Sequence, residues 1–172
     1  MADETASIKI YVACLAAYNN GILHGRWIDA TLGEDHIWEH IKAMLAESLI
    51  PGAEEHAIHD HEGFEGVSIS EYMGIAEVAE LAAFIDEHGT IAGKLVGHFG
   101  DLEEAKEALE DRYCGVHSSV ADFAQEITEE TTQIPQSLQY YIDYERMARD
   151  LVISDVLAIE TAYGEVHIFW AS

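Results

Sequence analysis

The stretch SIKIYVACLAAYNNGILHGRWID, residues 7–29, decides the fold of the N-terminal part of this chain. It begins with a run rich in β-branched and aromatic residues, Ser7 to Ala13, which predicts a strand. Asn19-Asn20-Gly21 is a turn signal, because Asn and Gly readily adopt positive φ angles. His24 to Asp29 then predicts a strand that returns alongside the first. The stretch therefore predicts a small antiparallel sheet.

A helix is predicted after this sheet, over Glu34 to Glu47. Its apolar residues recur at helical spacing and form one face; they are Ile37, Ile41, Met44 and Leu45. Pro51-Gly52 ends the helix, and His56 to Asp60 is compatible with a third strand. We therefore expect residues 1–61 to form an N-terminal α+β domain.

The middle part of the chain is predicted to be helical. Its first helix has an apolar stripe and is stopped by Gly89; the stripe is Ile75, Val78, Leu81, Ala82 and Ile85. Thr90 to Phe99 predicts a second helix, in which Gly93 and Gly97 would let a neighbour approach closely. Asp101 to Tyr113 predicts a third helix, with its stripe on Leu102, Ala105, Leu109 and Tyr113.

The C-terminal part combines helices with a hairpin. Ser119-x-x-Asp122 fits a capping box and begins one helix. Another helix is predicted from Pro135 to about Leu151. Leu157 to Thr161 and Glu165 to Trp170 alternate like the strands of a hairpin around Tyr163-Gly164. The fold class is therefore α+β.

The charge of the chain is ordinary in amount and extreme in sign. Charged residues make up 24 %, but 33 Asp and Glu stand against 8 Lys and Arg, for a net charge of −25. Three parts, residues 1–61, 62–113 and 114–172, carry −7, −10 and −8, so the charge is not an acidic tail. Apolar residues make up 49 %, enough to bury a core. Such a negative field repels nucleic acid and anionic membranes and attracts proteins with basic clefts.

Targeting and redox signals predict a cytoplasmic protein. The first residues lack the basic and apolar regions of a signal peptide, and no apolar run of about 18 residues could span a membrane. Cys14 and Cys114 have no framework or metal spacing, which suits a reducing compartment. Either thiol could be imagined beside a distant His as a nucleophile, but nothing in the sequence pairs them.

Most carboxylates fall on the solvent faces of the predicted helices. At about 100° per residue, Glu77, Glu80 and Glu87 lie opposite the apolar stripe. Residues four apart rise ~6 Å along a helix, whereas one DNA strand places a phosphate every ~3.4 Å. One helix face is too sparse to imitate duplex DNA, but several faces together could do so. The residues expected to form this partner-binding surface are Glu71, Glu77, Glu80, Asp86, Glu87, Asp101, Glu103, Glu104, Glu107, Glu110, Asp111, Asp122, Glu126, Glu129 and Glu130.

Two histidine motifs offer metal chemistry as an alternative. His36-Ile37-Trp38-Glu39-His40 matches the H-x-x-E-H zinc-protease pattern, in which two imidazoles one helical turn apart bind zinc and the Glu acts as general base. In His56-x-x-His59-x-His61, a strand would place His59 and His61 on one side and His56 on the other. Neither motif supplies a complete ligand set, so we expect no metal, no cofactor and no catalytic residues. A small zinc hydrolase and an acidic housekeeping domain of a salt-adapted organism stay as alternatives.

Several blocks of the sequence resemble the ArdA family of antirestriction proteins. They keep their order and spacing over almost the whole chain, and the middle part matches less distinctively. The N-terminal blocks are Ile10 to Ala13, Tyr18 to Gly21 and His24 to Trp27, and the C-terminal blocks are Ile134 to Leu138, Tyr140 to Leu151 and Glu165 to Trp170. The family tends to carry an aromatic residue near His61, which implies that a ring rather than a metal ligand is needed there.

The resemblance implies an elongated, curved molecule of three small domains, 1–61, 62–113 and 114–172, that forms a homodimer through its C-terminal part. It implies a DNA mimic, not an enzyme, that occupies the DNA groove of type I restriction-modification enzymes, formed by the methyltransferase core with its specificity subunit. Such proteins travel on mobile genetic elements and act in the cytoplasm of a bacterial host. Neither nucleic acid nor membrane is an expected partner.

Overall fold

The computed structural model describes residues 7–171 and has the predicted α+β class. Its contacts group the chain into two compact units, which meet in sequence between Gly97 and His98. This boundary lies inside the middle part, and the division into three domains stays a prediction. Within the described residues, no helix is both long enough and apolar enough to cross a membrane.

The N-terminal unit contains the predicted antiparallel sheet. Its strands are β1 (Lys9–Cys14), β2 (Gly25–Asp29) and β3 (His56–Glu62), in the order β2-β1-β3. The predicted hairpin and third strand are therefore confirmed. The connection between β1 and β2 differs from a tight turn, because a short helix, α1 (Leu15–Asn19), precedes Gly21 with its φ of 75°.

Helix α2 (Glu34–Ala46) packs on β1 and β2 and confirms the helix predicted from its apolar face. Ile37, Ile41 and Met44 are buried, and Leu45 is half-buried. They cover a sheet face whose side chains are fully buried, among them Ile10, Val12 and Ile28. Burial of aliphatic side chains of this size contributes about 1.5–3 kcal/mol each, so this face is the main source of stability for the sheet.

Two helices follow in the chain, and the boundary between the two units falls within the second. In α3 (Ile75–His88) every residue of the predicted stripe is buried, and Gly89 ends the helix at a φ of 72°. α4 (Thr90–Phe99) contains Gly93, where a Cβ atom would overlap the Glu65 side chain, so the predicted close approach is confirmed there. It is wrong for Gly97, whose Cβ position has no neighbour within 4 Å among the described residues.

The third predicted helix, Asp101 to Tyr113, is shorter in the structure. α5 (Leu102–Glu107) runs into a π-helical turn, Ala108–Arg112, and the chain then becomes a strand, β4 (Tyr113–His117). Tyr113 and Val116 favour extended backbone, and β4 gains ladder hydrogen bonds from a partner strand far along the chain. Tertiary pairing therefore overrides the helical spacing.

The second helix predicted in the C-terminal part is interrupted in the structure. α6 (Val120–Thr131) follows its Ser119 cap as predicted, but Gln136–Tyr141 forms a 3-10 turn and α7 begins only at Tyr144 (Tyr144–Ser154). The Arg146 backbone N–H donates to Asp143 Oδ1 at 3.0 Å, which caps α7. An Asp side chain that accepts such a bond favours a helix start over a helix interior.

The predicted C-terminal hairpin is confirmed as β5 (Val156–Ala162) and β6 (Glu165–Trp170), joined at Tyr163-Gly164. The sheet order is β4-β6-β5, so β6 is central and β4 adds an edge that sequence did not predict. Phe123 of α6 packs in this unit's core with side chains of the hairpin, which are Val156, Val166 and Ile168.

Candidate functional site

The acidic residues lie almost entirely on the surface. Of the Asp and Glu residues within 7–171, thirty are exposed, and Asp29 alone is half-buried. Asp29 Oδ1 accepts hydrogen bonds from the Thr31 backbone N–H at 2.8 Å and from its hydroxyl at 2.6 Å, so this carboxylate caps a turn. The remaining thirty carboxylates lie at the surface, where some also cap helices or pair with a base.

The basic residues are distributed in the opposite way. Within the described range only four are exposed, Lys42, Lys94, Arg146 and Arg149. The ratio of acidic to basic residues is therefore higher on the folded surface than in the whole sequence, with thirty exposed acids against four exposed bases. Sequence counting alone missed this separation.

Two bases are drawn into the N-terminal sheet. Lys9 is buried in β1, where its Nζ lies 3.5 Å from Glu62 Oε2 and 5.0 Å from the centroid of the Trp27 ring. Arg26 of β2 donates to Glu47 Oε2 at 3.0 Å. Both cations are placed by strand pairing and by packing along their aliphatic stems.

Two more bases are held in the C-terminal unit. Arg112 lies over the Phe99 ring at 5.4 Å and donates through Nη1 to the Ala171 carbonyl oxygen at 2.7 Å. The half-buried Lys106 lies 3.9 Å from Glu103, one helical turn away. The Lys106–Glu103 pair contributes little stability, and neither of these two bases is fully exposed.

Five of the predicted site residues belong to the N-terminal unit, and all five are exposed: Glu71, Glu77, Glu80, Asp86 and Glu87. Four of them lie on α3, because the opposite stripe of that helix is buried. Glu71 precedes α3, and its Oε1 lies 3.9 Å from His59 Nε2. Glu87 lies 3.7 Å from His88.

Six further site residues surround α5 and are also exposed: Asp101, Glu103, Glu104, Glu107, Glu110 and Asp111. Asp101 caps the helix, because its Oδ1 accepts from the Glu103 backbone N–H at 3.1 Å. Glu103 and Glu104 occupy the first turn, where the helix dipole favours negative charge. Glu110 and Asp111 lie in the π-helical turn, so their directions differ from those of a continued α-helix.

The last four predicted site residues share the exposed face of α6: Asp122, Glu126, Glu129 and Glu130. Phe123 and Ala124 are buried on the opposite face, as the spacing predicts. Glu126 lies 3.2 Å from His117 Nδ1, and Glu129 accepts a hydrogen bond from Gln125 at 3.0 Å. Exposed carboxylates outside the predicted set, such as Glu34 and Asp35 at the start of α2, continue the same surface chemistry.

The H-x-x-E-H motif brings two histidines together on one face of α2. The His36 and His40 rings lie 4.3 Å apart on α2, and Arg26 Nη1 lies 3.2 Å from His40 Nδ1. Among the residues that the structure describes, no three His, Cys, Asp or Glu side chains converge on a possible metal position. The geometry therefore gives the zinc-hydrolase alternative no ligand set.

The histidines of β3 have separate partners. The His56 ring lies edge-on to Trp38 at 5.4 Å, and burial lowers the pKa of His56. The His61 ring meets Phe64 at 5.8 Å. His61 thus makes an aromatic contact, as expected for a position where a ring is needed.

Cys114 lies near a histidine, but not in the arrangement of a nucleophile and its base. His117 Nε2 lies 3.0 Å from the backbone carbonyl oxygen of Cys114, while the thiol donates to the Arg112 carbonyl at 3.6 Å. Burial raises the pKa of the Cys114 thiol, which disfavours the reactive thiolate. Cys14 is fully buried.

Comparison with known families gives one match that spans nearly the whole chain. The model of the antirestriction protein (ArdA) family matches residues 10–165. A search of curated proteins found no match. The family match covers most of both compact units and contains all the sequence blocks except the last, Glu165 to Trp170, of which it includes only Glu165. The chain therefore belongs to the ArdA antirestriction protein family.

Proposed function

We propose that this chain is a DNA mimic that inhibits type I restriction-modification enzymes competitively. Its carboxylates take the place of DNA phosphates against the Lys and Arg of the enzyme's DNA groove, in the methyltransferase core with its specificity subunit. Family membership supports the antirestriction role. The observation that carries the mechanism is the separation of charge, with thirty exposed acids against four exposed bases in the described chain.

The distribution over several elements matters for this mechanism. Duplex DNA carries one charge per ~1.7 Å of axis, far denser than one row of carboxylates spaced ~6 Å apart on a helix. Carboxylates on α3, around α5 and on α6 together supply more charge than any one face. Because each contact is weak and solvated, affinity depends on the number of contacts and on ionic strength.

The protein acts as a homodimer through its C-terminal part, in the cytoplasm of a bacterial host. Exposed apolar side chains of the C-terminal unit support this part of the proposal, because aromatic side chains are enriched in protein interfaces. They include Leu138, Tyr140, Tyr141, Ile153 and Tyr163.

Competition tests the mechanism directly. A labelled recognition duplex is bound to a type I methyltransferase, and the purified protein is added at salt concentrations from roughly 50 to 200 mM. We expect stoichiometric displacement that weakens steeply as salt rises, and loss of both cleavage and methylation. Failure to displace the duplex from several such enzymes at low salt would reject the mimic.

A further inference from the structure

A recess of about 270 Å³ opens on the C-terminal unit between α6 and the strands β4 and β6. Three aromatic rings, a thiol, an imidazole, an aliphatic side chain and two carboxylates line it: Tyr113, Phe123, Trp170, Cys114, His117, Ile127, Glu126 and Glu130. None of these lining residues is Lys or Arg. Its volume is below the ~300 Å³ at which pockets for drug-sized ligands begin, so it suits a single side chain.

The aromatic walls are held in place before any ligand arrives. The Phe123 ring meets the Trp170 ring edge-on at 5.8 Å and the His117 ring at 5.1 Å. The Tyr113 hydroxyl lies 2.7 Å from His167 Nδ1, and its ring contacts that of Phe169 at 5.0 Å. Because these side chains are already packed, the recess loses little conformational entropy when a ligand binds.

The carboxylates have different partners. Glu126 Oε2 lies 3.2 Å from His117 Nδ1, a contact that holds this carboxylate at the wall. Glu130 lies one helical turn after Glu126, ~6 Å further along α6. It makes no ion pair with a described residue. The recess therefore combines aromatic rings with two carboxylates.

We infer that this recess binds the guanidinium of an arginine side chain presented by the target enzyme. A planar guanidinium stacks on aromatic rings and presents forked donors that match carboxylates, whereas an ammonium offers only a point charge. Arginines that bind nucleic acid pair with phosphates and stack on bases that have left the helical stack. The recess offers such an arginine a ring as well as a charge, so it extends the mimicry from the phosphate to an unstacked base. This inference rests on the proposed function for its partner.

A small probe tests the recess without the enzyme. N-acetyl-L-arginine amide is titrated into the full-length protein, and the indole N–H signals of its tryptophans are followed by NMR. Trp170 lines the recess, while Trp27 and Trp38 lie in the other unit and serve as internal references. Urea is the uncharged planar control.

We expect a saturable shift of Trp170 with the arginine probe and none with urea. Glu130→Gln should weaken probe binding about tenfold, the ratio for one charge-assisted hydrogen bond. Glu160→Gln removes the same charge from exposed β5 of the same unit, outside both the recess and the predicted contact set, and should change probe binding less than about twofold. Equal weakening by both variants, or equal shifts of all three tryptophans, would reduce the effect to general counter-ion attraction and overturn the inference.

Duplex displacement and probe binding, both measured on the wild-type protein, separate this inference from the proposed function. If the wild-type protein displaces no duplex but Trp170 still binds the probe selectively, the mimic fails and the recess stands. If displacement succeeds while the probe shifts no tryptophan selectively, only the recess fails. In the enzyme assay, Glu130→Gln should weaken inhibition more than Glu160→Gln, which removes the same charge outside the recess.

Discussion

Single residues show how the surface becomes one-sided. Lys9 lies in a strand whose neighbours Ile8 and Ile10 are buried, and it is itself buried against Glu62 and Trp27. The sequence shows where such a base stands but not its partners, because Glu62 is more than fifty positions away. The exposure of the acids was predictable from helical spacing, whereas the burial of the bases depends on strand register and long-range packing.

The half-buried His56 should make the N-terminal unit sensitive to acid. Burial lowers its pKa from 6.5, so the folded state disfavours the imidazolium relative to the unfolded chain. Its contribution is therefore present above the unfolded pKa and is lost as pH falls through the lower folded pKa. His56→Phe keeps a ring against Trp38 and removes this titration, so the variant should lose less stability on acidification than the wild type.

Urea unfolding measured at about pH 7.5 and pH 5.5 checks the difference between the two proteins. Titration of the many carboxylates is common to both and cancels in the comparison. If the free energy of unfolding falls equally in both proteins over this range, burial of His56 does not contribute to pH dependence.

At the scale of secondary-structure elements, local patterns succeed where one signal dominates. α2, α3 and the β5–β6 hairpin follow from apolar spacing and turn residues. The prediction of a helix through Tyr113 is wrong. Leu102, Ala105 and Leu109 continue the helical spacing, but the residues from Tyr113 onward form a strand that pairs with β6. The end of that helix depends on a partner more than fifty residues away, which no local window contains.

The predicted cap of α6 at Ser119 is confirmed, and its contribution to stability can be measured. Ser119 Oγ accepts from the Asp122 backbone N–H at 3.1 Å and so satisfies a donor that α6 leaves unpaired. Ser119→Ala should destabilise the C-terminal unit by about 1 kcal/mol. Ser118→Ala is the matched control, because this exposed neighbour provides no cap. Thermal unfolding that shows equal losses for both variants would contradict the assigned cap.

At the scale of the whole molecule, the proposed mechanism depends on many weak contacts and not on a single centre. The thirty exposed carboxylates are spread over both compact units, so removal of one changes little of the total field. This part of the site was predictable from composition and spacing, since net charge needs no tertiary information. Which carboxylates carry most of the binding depends on the enzyme's groove, which the sequence of this chain does not encode.

Charge reversal at one cluster tests whether position matters beyond net charge. Changing Glu103, Glu104 and Glu107 together to Lys should weaken inhibition strongly and lower the slope of log affinity against log salt by up to about 3, one unit for each lost phosphate equivalent. Reversal of Glu34, Asp35 and Glu39 on α2 is the matched set. The α2 set changes the net charge by the same amount as the α5 set. Like the α5 set, it removes two acidic residues from the first turn of a helix.

We expect the α5 triple variant to lose more inhibition than the α2 triple variant, because α5 carries predicted contact residues and α2 does not. Thermal unfolding must show both variants folded, since reversal near a helix N-terminus costs about 0.3–1 kcal/mol per residue. Equal losses would mean that net charge alone drives inhibition and that the contact set is wrong. Full inhibition by both variants would mean that carboxylates do not stand in for phosphates, because six units of reversed charge cannot leave a charge-based contact unchanged.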